Sequence, residues 1–252
     1  MSGHSKWATI KRKKGAIDAA RGKVFTKIIK EITVAARVGG GGDPDSNPRL
    51  RLAVDKAKAA NMPKDNVDRA IKKGTGELEG VNYEELVYEG YGAGGVAMYI
   101  EITTDNKNRI APEVRMIFGK NHGNMGASGS VAYQFHKKGV FLFDEAQYSE
   151  DRVMEVALEN GADDVKSDSG KVLVETSPEA YPGLKNAFDA KKMVYESAEV
   201  TRVPETTVKV AGQDAERVLK LIAALEDNDD VQNVYANFEM DEAEMARIGE
   251  LL

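Results

Sequence analysis

Cysteine is absent from this sequence. Its absence excludes disulfides, thiolate nucleophiles, iron–sulfur clusters and cysteine-based zinc sites together. Histidine is scarce: His4, His122 and His136 stand far apart, without the spacing of metal ligands. No apolar run approaches the roughly 18 residues that a membrane span requires. The opening Met1-Ser2-Gly3-His4-Ser5-Lys6-Trp7 lacks the apolar core of a signal peptide, so a cytoplasmic location is expected. No glycine-rich loop ends in Gly-Lys-Ser/Thr, no serine sits in a nucleophile elbow, and no two carboxylates stand out as an acid/base couple. These gaps leave an enzyme without candidate residues. No cofactor, metal, small-molecule substrate or membrane is expected as a partner.

What the sequence does hold is charge, unevenly placed. Of 35 Lys/Arg and 41 Asp/Glu, residues 1–75 hold 18 and 7. The rest of the chain keeps 17 and 34, so a basic head precedes an acidic body. Polyanions attract the first and are repelled by the second. The densest run is Lys11-Arg12-Lys13-Lys14, with Lys6 before it and Arg21, Lys23, Lys27 and Lys30 after it. A lysine-rich face that meets only water is the plainer alternative. Runs of one sign mark interaction arms, however, and each phosphate contact releases counterions. These residues are therefore expected to grip a nucleic-acid backbone, with His4, Arg49 and Arg51 completing the contact set. Trp7 is open to two readings, stacking on a base or packing into a core.

Periodicity sets the architecture. Phe25, Ile28, Ile29, Ile32 and Ala36 fall on one face of a helix over 24–38, which Gly39–Gly42 ends as a flexible link. Asn47-Pro48 caps a second helix, and Pro63 opens a third that Gly74 stops. Beyond a boundary at 75–82 the period changes. Leu86–Tyr91 and Val96–Thr104 form a hairpin, Ile110–Asn121 a helix with Pro112 in its first turn, and Val131–Phe135 a strand. Strands at Val140–Phe143, Ala162–Ser167, Lys171–Thr176 and Met193–Ser197, with helices at Ser149–Asn160 and Pro178–Ala190, give the ferredoxin-like order. Strands at Thr206–Val210 and Val231–Asn237, around a helix at Asp214–Leu225, complete the sheet begun at Leu86. The expected fold is therefore α+β and multidomain. It comprises a basic helical domain (1–78), a discontinuous α/β domain (79–136 plus 202–240), a ferredoxin-like α/β domain (137–201) and a tail (241–252) capped by Asp241.

Two glycine-rich segments invite functional readings. Gly90-Tyr91-Gly92-Ala93-Gly94-Gly95 satisfies G-x-G-x-x-G, but a strand pattern follows where a dinucleotide site needs a helix. It reads as a hairpin turn. The segment His122–Ser130 reads as a mobile loop, or as one whose amides meet phosphate or a partner. The acidic stretch Glu226–Asp230 reads as a solvated turn.

Gly3-His4-Ser5-Lys6-Trp7, Arg21-Gly22-Lys23-Val24-Phe25, Gly41–Pro44, Asn47-Pro48-Arg49-Leu50-Arg51, Tyr88–Gly92 and Gly129–Ala132 resemble the YebC/PmpR family over nearly the whole chain. The resemblance implies three domains, helical then two α/β, with the middle one discontinuous. It implies a regulator of gene expression with DNA as partner. A ribosome-associated factor bound to ribosomal RNA, relieving stalling or activating translation, is the alternative. A protein partner on the acidic body is expected under either.

Overall fold

A computed structural model describes Trp7 and residues 18–251. Three helices open the described chain: α1 (Asp18–Val38), α2 (Pro48–Ala59) and α3 (Lys64–Thr75). Their apolar faces meet in one core of Ile28, Ile32, Ala35, Leu50, Ala57 and Ala70 among others. Asn47 starts α2 as expected: its Oδ1 accepts the Leu50 amide at 3.0 Å, and Pro48 follows at the first helical position. The same side chain donates to the carbonyls of Ala35 and Gly41, each at 2.9 Å. The Gly39–Gly42 run is thus a tied turn rather than a flexible link. Gly40 and Gly41 occupy positive φ of 96° and 121°, which other residues adopt at a cost. Gly74 does not stop α3. It lies buried inside the helix, which ends at Gly76 with φ 84°. A Cβ on Gly74 would sit 2.4 Å from the Thr33 carbonyl oxygen, so its bareness lets α3 lie directly on α1.

The middle domain is a four-stranded antiparallel sheet in the order β3-β1-β2-β9. Its strands are β1 (Glu84–Tyr91), β2 (Ala97–Thr104), β3 (Asn124–Met125) and β9 (Val231–Ala236). The hairpin β1–β2 pairs Glu84 with Thr104 and Tyr91 with Ala97. The glycine motif forms its turn, with Gly94 and Gly95 at positive φ. Helices α4 (Lys107–Lys120) and α7 (Gly212–Glu226) cover one face, burying Ile110, Phe118, Leu219 and Ile222 against Ile100 and Ile102. Pro112 is the sixth residue of α4 rather than a member of its first turn, because Asn106 caps the helix earlier than expected.

Between β3 and α7 the chain builds the ferredoxin-like domain. Its elements are β4 (Phe135–Asp144), α5 (Glu150–Glu159), β5 (Ala162–Asp168), β6 (Lys171–Thr176), α6 (Tyr181–Ala190) and β7 (Ser197–Pro204). The sheet order β5-β6-β4-β7, antiparallel throughout, is that of the split βαβ unit. The middle domain is therefore made of two chain segments flanking this one. Several boundaries differ from expectation. Residues 132–134 form a 3-10 turn instead of a strand, and β4 begins at Phe135. The last strand runs over Ser197–Pro204 rather than Met193–Ser197, since Met193 is buried with the helices of this domain. β8 (Val208–Lys209) does not join the middle sheet. It pairs in parallel with β10 (Phe238–Glu239), so β9 alone returns to β2. Asp241 caps the last helix, α8 (Glu242–Leu251), which buries Met245 and Ile248 in the middle core.

The close approach of α3 to α1 makes a test. Alanine favours a helix over glycine by ~1 kcal/mol. At position 74 the added methyl meets backbone, and overpacking of this kind costs about 1–3 kcal/mol. Gly74→Ala is therefore expected to lower the urea-unfolding midpoint. A raised midpoint would show that the helices are not in contact there.

Candidate nucleic-acid interface

Of the expected contact set, His4, Lys6, Lys11, Arg12, Lys13 and Lys14 lie outside the described residues, as does the side chain of Arg21. Trp7 is 4% exposed and packs in the middle-domain core with Val96, Met98 and Phe118. Of its two readings the packing one holds, because a ring so enclosed offers no face to a base. Its Nε1 finds no acceptor among the described residues.

Lys23, Lys27 and Lys30 follow one another at i, i+4 and i+7 on α1, hence on one face. That face meets the 226–230 loop of the body, from an exposed Lys23 to a buried Lys30. Lys23 pairs with the Asp227 carboxylate, which holds its ammonium above the ordinary lysine value. Lys27 donates to the Glu226 carbonyl at 2.7 Å. Lys30 is buried, with its Nζ 2.6 Å from Asp230 Oδ1 and 2.9 Å from the Asp229 carbonyl. The ring of Tyr83 lies 5.6 Å from the same ammonium. Lys30 is thereby removed from any solvent-facing contact set. The Glu226–Asp230 stretch, expected to be a solvated turn, is the seat for the head. Opposite net charges on head and body explain both corrections: the nearest polyanion to α1 is the chain itself.

Asp230 is the centre of this joint. Its Oδ2 accepts from Arg109 at 2.7 Å and from Thr104 at 2.9 Å, while Oδ1 takes Lys30. Burial alone would raise its carboxyl, but Lys30, Arg109 and Thr104 outweigh burial and hold it below the usual aspartate range. Arg49 and Arg51 are likewise engaged. Arg49 forms a two-pronged pair with Glu85, and Arg51 binds the carbonyls of Pro44 and Asp45 at 3.0 and 2.6 Å. Arg37 donates to Asn82 and to the Tyr83 carbonyl. Neither Asp230 nor Arg109 was singled out from sequence, since nothing local marks two residues that meet across 121 positions. On α3, Lys64, Arg69, Lys72 and Lys73 are exposed and form no ion pair among the described residues. Val67, Ala70 and Gly74 are buried on the opposite side of that helix.

The end of the glycine-rich loop is filled by a side chain of the protein itself. Glu89, 4% exposed, reaches into it and accepts the amides of Gly129, Val131 and Ala132 at 2.6, 2.7 and 2.8 Å. The loop does bind an anion with its backbone, as such loops can, but the anion is its own carboxylate. Burial would raise the Glu89 carboxyl, and the three amides more than offset that, leaving it below the ordinary glutamate value. The body's other joint is polar too. Arg202 of β7 pairs with Glu101 of β2 at 2.9 Å and lies over the Tyr99 ring at 4.3 Å. It fastens the ferredoxin-like sheet to the middle one.

Comparison with known proteins covers both parts of this architecture. Residues 5–77 match the model described as the TACO1/YebC protein N-terminal domain, and residues 83–238 that of the TACO1/YebC second and third domain. A protein of Syntrophobacter fumaroxidans called a probable transcriptional regulatory protein is 59% identical over 98% of this chain and all of its own length. One of Geobacter sulfurreducens with the same description is 58% identical over 98% of this chain and all of its own. The crystal structure of a conserved hypothetical protein from Aquifex aeolicus superposes with a TM-score of 0.78. It is 47% identical and covers 90% of this chain and 93% of its own.

Two predictions follow the two buried carboxylates. Asp230→Asn leaves the Lys30 ammonium buried without its counter-charge. It is expected to lower stability by roughly 3 kcal/mol, the low end for breaking a buried pair, because Arg109 stays partly solvated. Since the folded Asp230 value is depressed, its contribution is complete above about pH 4, the unfolded value. It disappears as pH falls through the depressed value, so the protection of α1 amides relative to their intrinsic exchange rates should fall in acid for the wild type and already at neutral pH for the variant. Unchanged exchange in the variant would refute the joint. Glu89→Gln turns a donor toward the loop amides at a cost of about 1–3 kcal/mol. Exchange at Gly129, Val131 and Ala132 should rise while α1 stays protected.

Proposed function

Because the chain belongs to the TACO1/YebC family across its N-terminal, second and third domains, we propose that it is a non-enzymatic regulator of gene expression that binds DNA through its basic N-terminal segment. One observation carries the reading: Lys23, Lys27 and Lys30 of α1 are already held by the body, so the contacts proposed here fall to the other cations of the basic segment. Lys23, Lys27 and Lys30 orient the head. Phosphate contact falls to Lys6, Lys11, Arg12, Lys13 and Lys14, with His4 and Arg21 beside them. The exposed Lys64, Arg69, Lys72 and Lys73 of α3 extend the positive surface, tempered by Asp65 and Asp68.

Division of labour follows from the physics. Backbone contacts position a protein on a duplex and carry no sequence information. A head whose orientation is set by a buried ion pair presents the exposed cations of α3 in one register, and this lowers the ordering cost on binding. The relatives named as probable transcriptional regulatory proteins support a regulatory role. The acidic body disfavours non-specific wrapping and leaves one end of the molecule for docking.

Reversal of the run tests the reading. Lys13→Glu with Lys14→Glu is expected to weaken duplex binding at least tenfold at about 0.1 M salt. The slope of log K against log salt should fall by about 1.8, as for two lost phosphate contacts. Unaltered affinity at low salt would refute the assignment. Sedimentation with ribosomal subunits in the same salt series serves as the second arm. Retention on subunits at salt that strips the duplex would replace DNA with ribosomal RNA as the partner.

A further inference from the structure

The body is acidic as a whole, yet one cleft on it gathers cations. Lys120 and His122 at the end of α4 share a cleft of about 320 Å3 with Glu216, Arg217 and Lys220 on α7. Three cations line it, with the carboxylates of Glu216 and Asp214 beside two of them. Lys120 is exposed and has no ion pair among the described residues. Arg217 reaches Asp214 only at 3.5 Å, and Lys220 takes Glu216 one helical turn away. Both pairs are local to α7 and solvent-exposed, so they hold these cations only weakly. The α7 terminus does not account for the site: the Gly212 amide is already taken by Glu244 Oε1 at 2.7 Å.

His122 also lines the cleft. It follows α4 at φ +59°, where the Gly123 amide closes back on the Phe118 carbonyl at 2.9 Å, the same helix ending that Asn61 and Lys192 make after α2 and α6.

We propose that this cleft is a second phosphate-binding site, occupied by a backbone phosphate of the same nucleic acid that the N-terminal segment grips. Arg217 offers a planar fork and Lys120 and Lys220 offer point charges, the combination that suits phosphate oxygens. Glu216 acts as the resident competitor, holding Lys220 until phosphate displaces it. The assignment to a nucleic-acid backbone rests on the function proposed above, whereas the anion site itself does not.

Amide shifts of the full chain, titrated with inorganic phosphate and separately with a short DNA duplex, test it. Residues 120–122 and 213–220 should shift with both probes. Lys120→Gln with Lys220→Gln, both at exposed positions, should abolish those shifts and leave the thermal midpoint unchanged. The double variant should weaken the duplex about tenfold and lower the salt slope by about 1.8. Glu216→Gln should tighten phosphate. Phosphate that leaves these amides unmoved overturns the site. A double variant with wild-type duplex affinity, while Lys13→Glu with Lys14→Glu loses it, overturns the backbone assignment alone. A chain that shifts here with phosphate but binds no duplex supports the anion site and refutes the nucleic-acid reading.

Discussion

The arrangement of this molecule depends on one buried carboxylate. Asp230 lies 7% exposed at the side chain, between an ammonium from the helical head and a guanidinium from the body. Removing such charges from water costs several kcal/mol per ion, and only close, multiply bonded partners offset that. Asp230 has them in Lys30, Arg109 and Thr104. An apolar contact would tolerate sliding, whereas directional bonds to both carboxylate oxygens admit one orientation. The pose of the head on the middle domain follows from this, with Lys23, Lys27 and Arg49 as outlying ties.

The same principle recurs across the body, with the protein's own carboxylates standing where a phosphate might. Glu89 fills the amide-lined loop at 129–132, and Asp227 occupies Lys23. Glu101 collects Arg202, Asn233 and Tyr235 where two sheets meet. Each is an anion site satisfied internally, and each holds together segments far apart in the chain. Charge on this protein is therefore of two kinds. Part of it is structural, matched and partly buried. Among the described residues the remainder includes Lys64, Arg69, Lys72 and Lys73 on α3 and Lys120 at the end of α4, which form no ion pair there.

This division explains what could be read from residues alone. The helices of the head, the hairpin and the ferredoxin-like order were legible because amphipathic period and turn residues are local signals. Asn47-Pro48 announced its helix through a cap that involves only neighbours. Gly74 misled because a glycine that ends a helix and one that admits a neighbouring helix look identical in sequence. Strand 131–135 failed for a related reason: its β-rich composition serves a turn that Glu89 holds from 42 residues away. β8 was placed in the wrong sheet because pairing partners are chosen by packing, not by strand propensity.

The sequence by itself determined the element types, the three-domain order and the segregation of charge, since each is a property of composition or short-range period. Tertiary structure decided which cations remain available. Nothing in its local sequence sets Lys30 apart from the other lysines of the head, yet it is consumed by a carboxylate 200 positions away. Electrostatic pairing acts through space, falls steeply with distance and strengthens with burial, so a lysine's role is set by what folding brings within about 3 Å of it.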